Sequence, residues 1–512
     1  MSESDSPERS SAEVSEQTTQ LEEASDSKNE KELTEQKSYL ELHTPQILAS
    51  MEAVVTTEND PSAEYVPDTM CQIFGQSVVP FFLGGCGSIA AGLLLTYANK
   101  RLQLLREVPE FLVLMPPLQG LRGNLDMTFS ARMSTLAHVG AFDEPGLAAR
   151  VWRNAAVAQA LSIFVCIIAN LIALVYVPEN DPQVSIVSNS TLSPNLTTTA
   201  TASATPPSDP SDLSSFLFLT SSSIISMAVN CALCTLLLFT VVYCAWRRKC
   251  NPDNVVAPLG ASISDLLTIG SMLLICYLLR PYSEFHNIIP LCVIVLAISS
   301  VPVWIFLAWN DDAAVPTARQ QCITLIVAAT ISCGAGAVQS IGALRYPNYP
   351  AYQTLISGLT GNRGAVLASR ISSYLEVNQK SDLDWSERIW PLNYFLSKDA
   401  EAKTAWLLLW TAIPFQLLFV GLSSLASYVI DEPVEFAPAF FVVYSLVVLV
   451  QQCLILYLAQ LLVFAVWQLG FNPDIHAIPM LTSAADVCGC GLLFICFYSL
   501  DRLFGCVKVN EA

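Results

Sequence analysis

A motif repeated at one fixed shift constrains this chain more than any other feature. Asn251-Pro252-Asp253, Pro258 and Asp265 recur as Asn472-Pro473-Asp474, Pro479 and Asp486, each matched residue 221 positions further on. Each copy opens an apolar stretch and sets a proline and a carboxylate inside it. A carboxylate within a membrane-length apolar run is costly and by default marks an ion or substrate path. Two of them in matching positions predict one site built between two like halves.

The rest of the chain agrees with a membrane setting. Of 512 residues, 53% are hydrophobic and 13% charged, and several apolar runs approach the ~20 residues that span a bilayer as a helix. The net charge of −19 is unevenly spread. Residues 1–68 hold 17 Asp/Glu against 4 Lys/Arg, a net of −13, which leaves −6 for everything else. That Ser- and Glu-rich segment has the composition of a disordered tail. Its acidity argues against nucleic acid as a partner. The 16 cysteines lie mostly in or beside apolar runs. Cys231/Cys234 and Cys488/Cys490 lack the surrounding ligands of a zinc site, so they read as packing residues.

Eleven hydrophobic segments are expected, at roughly 72–98, 109–137, 152–177, 214–246, 252–280, 287–309, 320–343, 350–376, 404–430, 437–468 and 473–500. Segments 109–137 and 350–376 are interrupted by Gly and polar residues and are the ones a hydropathy scan would miss. Residues 178–213 contain no Lys or Arg and hold two glycosylation sequons, at Asn189 and Asn195, which favours the extracellular side. The next segment ends in Arg247-Arg248-Lys249, a cytoplasmic signature. Counting spans from there puts the N-terminus in the cytoplasm and the C-terminus outside, and Lys100, Arg101 and Arg106 then fall on the less favoured side.

A second motif repeats as well. Gly120-Leu121-Arg122-Gly123-Asn124, then Arg132, recurs 238 positions on as Gly358-Leu359-Thr360-Gly361-Asn362, then Arg370. Two motifs in the same order at slightly different offsets mean duplicated halves with different loop lengths. The predicted fold is all-α and polytopic, with about eleven transmembrane helices as two parallel five-helix repeats joined by a connector helix. The organisation is a tail at 1–68, a first repeat at 69–286, a connector at 287–319, a second repeat at 320–500 and a short extracellular end at 501–512. Five spans reverse the side of the chain and the connector restores it, so the pseudo-two-fold axis runs along the membrane normal. The chain is then expected to function in lipid as a monomer with internal pseudo-two-fold symmetry.

The chemistry follows from the residue types. Asp265 and Asp486 each lie fourteen positions beyond the start of their motif, about 20 Å along a helix. Two carboxylates facing one axis suit a hard divalent cation, and magnesium keeps much of its water when one or two carboxylates hold it. Pro258 and Pro479 free backbone carbonyls that a cavity can use. Asn251, Asp253, Asn472 and Asp474 read either as helix caps or as a vestibule gathering cations. Gly123 and Gly361 allow close backbone approach, and Asn124 and Asn362 put amides deep in their spans. Arg132 and Arg370 are expected to pair with carboxylates or lipid phosphate, and His476 to pack at the interface. Asp126 has no counterpart, since position 364 is glycine.

These blocks resemble solute carrier family 41, the eukaryotic relatives of MgtE-type magnesium transporters. The resemblance rests on Pro117-Leu118-Gln119-Gly120-Leu121-Arg122-Gly123-Asn124-Leu125, Ser130-Ala131-Arg132-Met133-Ser134-Thr135 and Asn251-Pro252-Asp253-Asn254-Val255. It continues in Gly361-Asn362, Ala368-Ser369-Arg370-Ile371-Ser372 and Asn472-Pro473-Asp474, covering roughly residues 70–500. It implies a magnesium transporter in which one chain mimics the two five-helix subunits of a bacterial dimer. Asp265 and Asp486 match the family's pore aspartates, and the Gly-Asn pairs and prolines match positions around that pore. The transported ion is then Mg2+, moved across the plasma membrane either through a channel-like path or in exchange for Na+. The second copies depart from the pattern at Ile475-His476 and at Arg363-Gly364, the latter placing an arginine near the path. The resemblance gives no counterpart here to the bacterial cytosolic magnesium-sensing domains.

Two other readings compete. One is a transporter of broader divalent specificity. The other is an intramembrane aspartyl protease, whose paired carboxylates share a proton; the contexts Ile263-Ser264-Asp265 and Ala484-Ala485-Asp486 lack that class's flanking residues.

Overall fold

Apolar runs of membrane length can satisfy their backbone polar groups away from water only as helices or closed barrels, and this chain is helical. The computed structural model describes residues 70–102, 108, 110–138, 142, 146–176, 210–248, 253–283, 287–309, 314–378, 390–397, 400–431 and 438–505. Their helices are α1 Met70–Arg101, α2 Glu110–His138, α3 Leu147–Tyr176, α4 Pro210–Arg247, α5 Asp253–Ser283 and α6 Ile288–Ala308. These are followed by α7 Ala314–Arg345, α8 Tyr349–Asn378, α9 Pro391–Leu396, α10 Ala400–Asp431, α11 Pro438–Gln468 and α12 Pro473–Phe504. No strand occurs among the described residues. The acidic segment 1–68, the loop with Asn189 and Asn195, and Asn251 lie outside the described residues. The six-residue α9 is an element that the apolar pattern did not announce. Trp406 Nε1 holds it from α10 by donating to the carbonyl of Phe395 at 2.7 Å.

Nine of the long helices are apolar and long enough to cross a membrane. The other two, α2 and α8, carry the Gly-x-x-Gly-Asn motifs. Their polarity has a physical reason: both are enclosed by other helices rather than by lipid. Residues 111–118 of α2 are buried without exception, and so are Leu355, Ile356, Leu359, Leu367 and Ile371 of α8. The connector α6 is the opposite case. Only 6% of its span is buried, and it leans on the first half through the Trp304–Trp152 ring contact at 6.2 Å.

The first helix of each half packs against both halves. Within its own half, α1 packs on α5, where Gly87 meets Ser262. It then crosses to the other half, where Gly92 meets Ala351 of α8 and Phe82 meets Phe419 of α10. The first helix of the second half does the same in reverse. α7 bonds its own α12 through Ser332 and Asp486. It crosses to α2 at Gly336–Val113 and to α3 at Cys333–Ala169. Buried residues of α7, among them Leu325, Ala329 and Cys333, belong to the core of the first half, while Phe81 and Ile89 of α1 belong to cores of the second. Small residues make these crossings close enough for dispersion to act between backbones.

Candidate cation site

The cavity wall is written as a helical stripe. Pro116, Gln119, Gly120, Gly123, Asn124 and Met127 of α2 recur every three or four residues and face one cavity. Gln353, Thr354, Ser357, Gly358, Gly361 and Asn362 of α8 form the facing stripe. Asp265 of α5, with Thr482 and Asp486 of α12, completes the lining. The cavity measures about 70 Å³, room for roughly five waters at ~10–15 Å³ each.

Each half thus contributes one aspartate, one Gly-x-x-Gly-Asn turn and a flanking polar side chain. The two carboxylates are half-buried and line the same cavity. Their supports differ. Gln119 shares the cavity wall with Asp265, whereas Ser332 of α7 donates to Asp486 Oδ2 at 3.4 Å. Gly120 brings the α2 backbone against Asp486, since a Cβ there would lie 3.9 Å from its Oδ2. Asn124 is buried; its Oδ1 accepts from Thr482 Oγ1 at 3.5 Å, and its Nδ2 has no protein partner. Behind α12, Gln451 donates to the carbonyl of Ala485 at 3.0 Å and fixes the turn that carries Asp486.

Other predicted residues fall elsewhere. Asn472 caps α12, accepting from the backbone N–H of Asp474 at 2.9 Å, and both side chains are exposed at the helix start. Pro479 is buried in the packing rather than on the cavity wall, and its carbonyl accepts the hydroxyls of Thr482 and Ser483 at 3.0 Å. Asp253 and Pro258 lie in the first turns of α5. Arg132 donates to Asn154 Oδ1 at 2.6 Å. His476 shares a hydrogen bond with Thr324 at 2.5 Å and lies beside the tilted ring of Phe471, 5.1 Å between centroids. Among the cysteines, Cys231, Cys234 and Cys490 are buried free thiols and Cys488 is half-buried. Among the described residues no group of three or more His, Cys, Asp or Glu converges, so the cavity's donors are two carboxylates with amide and hydroxyl oxygens.

Two arginines correct the sequence reading. Arg363, expected near the path, does not line the cavity; it points behind α8 to the Thr411 carbonyl at 3.5 Å and to the faces of Phe81 and Phe415. Asp126, unassigned in sequence, forms a buried ion pair with Arg122 one turn away, through both Nε and Nη2. Residues that the motifs did not single out also reach the site: Gln119, Gln353, Ser357, Thr482 and Ser332. The first three sit in register with the Gly-Asn blocks on the same helix faces, which was the available signal. Ser332 and Thr482 have no such signal.

An acidic, oxygen-lined cavity among membrane-length helices fits a cation transporter, and the family match places the chain in that class. More narrowly, the chain belongs to the MgtE family of divalent cation transporters, which matches it at residues 115–275 and 353–496. It is 28% identical to solute carrier family 41 member 3 of Mus musculus over 451 residues, covering 85% of this chain and 84% of that one. It is 27% identical to member 2 of Homo sapiens over 436 residues, covering 83% and 70%. No solved structure matches it.

Proposed function

We propose that the chain moves magnesium through this cavity, with Asp265 and Asp486 holding a partly hydrated ion between the halves. The observation that carries the reading is one cavity lined by an aspartate from each repeat. A cavity of about 70 Å³ takes an ion with part of its water shell, and wall oxygens replace the rest. Magnesium suits such a wall because it accepts few protein carboxylates and keeps several waters. The two charges also favour divalent over monovalent cations. In this reading the protein acts as a monomer in the plasma membrane, with its N-terminus cytoplasmic, its C-terminus extracellular, and Asn189 and Asn195 glycosylated.

Magnesium uptake into vesicles containing Asp265→Asn, Asp486→Asn or both tests the site. Each single variant is expected to reduce flux at least tenfold while leaving the amount of folded protein unchanged; normal flux in the double variant overturns the reading. Repeating the wild-type assay with and without a sodium gradient separates a channel-like path from exchange, because only exchange responds to the gradient.

A further inference from the structure

The second half buries a positive charge that no carboxylate among the described residues neutralises. Arg363 is fully buried. Among the described residues its Nη2 reaches the Thr411 carbonyl, and its Nε and Nη1 have no hydrogen-bond partner. Its guanidinium lies 5.3 Å from the ring centre of Phe81 and 5.9 Å from that of Phe415. No carboxylate pairs with it among the described residues. The equivalent position 238 earlier is Leu125, a buried apolar residue. The first half's own buried arginine, Arg122, is neutralised by Asp126. An unpaired charge in the membrane interior is costly and by default functional.

We infer that Arg363 is a fixed counter-charge that weakens cation binding in the cavity and so lets the ion leave. The inference rests on the proposed role of Asp265 and Asp486. Arg363 follows Asn362, which lines the cavity, and it is turned away toward α1 and α10. Its charge therefore acts across about one helix width, ~12 Å. Two aspartates, one neutral pair and one bare cation leave the surroundings of the cavity with a net charge of −1 instead of −2. Conduction needs a site strong enough to fill and weak enough to empty, and a rigid cation behind the wall adjusts that balance without obstructing the path. At an effective dielectric of about 40 the interaction changes divalent affinity on the order of tenfold and monovalent affinity about threefold.

The test measures the magnesium dependence of flux, and sodium competition with it, for the full chain carrying Arg363→Met, Arg363→Gln or Arg363→Lys. Both neutral variants are expected to lower half-saturating magnesium about tenfold and to strengthen sodium competition about threefold, with a lower maximal flux. The lysine variant keeps wild-type values. If Arg363→Met does not fold, Arg363→Gln, which keeps a donor for the Thr411 carbonyl, gives the same readout. Unchanged half-saturation, or equal shifts for the two ions as a packing defect would produce, overturns the counter-charge. Asp486→Asn in the same assay separates the two ideas. If it abolishes magnesium binding while the Arg363 variants change nothing, the cavity stands and the counter-charge falls.

Discussion

Gly336 of α7 lies directly against the backbone carbonyl of Val113 in α2. Pro117, four residues on, has no N–H to bond that carbonyl, so the helix exposes an oxygen at the point where α7 must approach. The second half repeats the crossing. A Cβ at Gly92 would lie 2.7 Å from the carbonyl oxygen of Ala351, and Ala351 is Val113 shifted by 238. Ser88 and Ser332, four residues before the two glycines, touch Gly358 and Gly120 in the same way. The crossing of the first helices therefore includes two close glycine–carbonyl contacts.

Adding a methyl at either glycine forces backbone apart rather than a flexible side chain. Gly336→Ala and Gly92→Ala are each expected to destabilise the fold by about 1–3 kcal/mol, the usual range for overpacking, with Gly336 the more severe. Thermal unfolding of purified protein in detergent measures this. Wild-type stability in both variants would mean that the halves are held together elsewhere.

The buried pair Arg122–Asp126 makes a different prediction. Both side chains are excluded from solvent, at 0% and 1% exposure. Asp126→Asn leaves an uncompensated guanidinium and is expected to cost about 3–5 kcal/mol, whereas Arg122→Met with Asp126→Leu removes both charges and is expected to lie within about 1 kcal/mol of wild type. Comparing the melting temperatures of the three proteins decides the matter. Equal losses in the single and the double variant would show that the loss is one of packing volume.

How much of this was legible in the sequence depended on what each residue answers to. Asp265, Asp486, Asn124 and Asn362 stood out because polar groups in apolar runs are expensive and both copies kept them. The spans α2 and α8 were legible as motifs although their hydropathy is weak, since helices wrapped in protein have no need of lipid-soluble faces. Arg363 was misplaced because sequence puts it beside Asn362, while a 100° turn per residue puts it behind the wall. Asp126 was opaque for the opposite reason: its partner is one turn away, but nothing in a single half shows that both face inward. Ser332 reaches Asp486 across 154 positions, and the crossing of α7 that brings it there follows from tertiary packing alone.

The glycines of the motif separate folding from transport. A Cβ at Gly123 would meet nothing within 4 Å, and one at Gly361 would make only ordinary contacts, the nearest 3.7 Å from Ala485. Both residues line the cavity, so the added methyl goes into space that water or an ion would use. Gly123→Ala and Gly361→Ala are therefore expected to fold with stability close to wild type, unlike Gly336→Ala, yet to carry several-fold less magnesium. A methyl takes a sizeable share of a cavity of about 70 Å³. Melting temperature and vesicle flux, measured on the same preparations, check this together. A Gly123→Ala protein with a normal melting temperature and undiminished flux would show that the ion does not pass this turn of α2, and would move the path away from the Gly-Asn blocks.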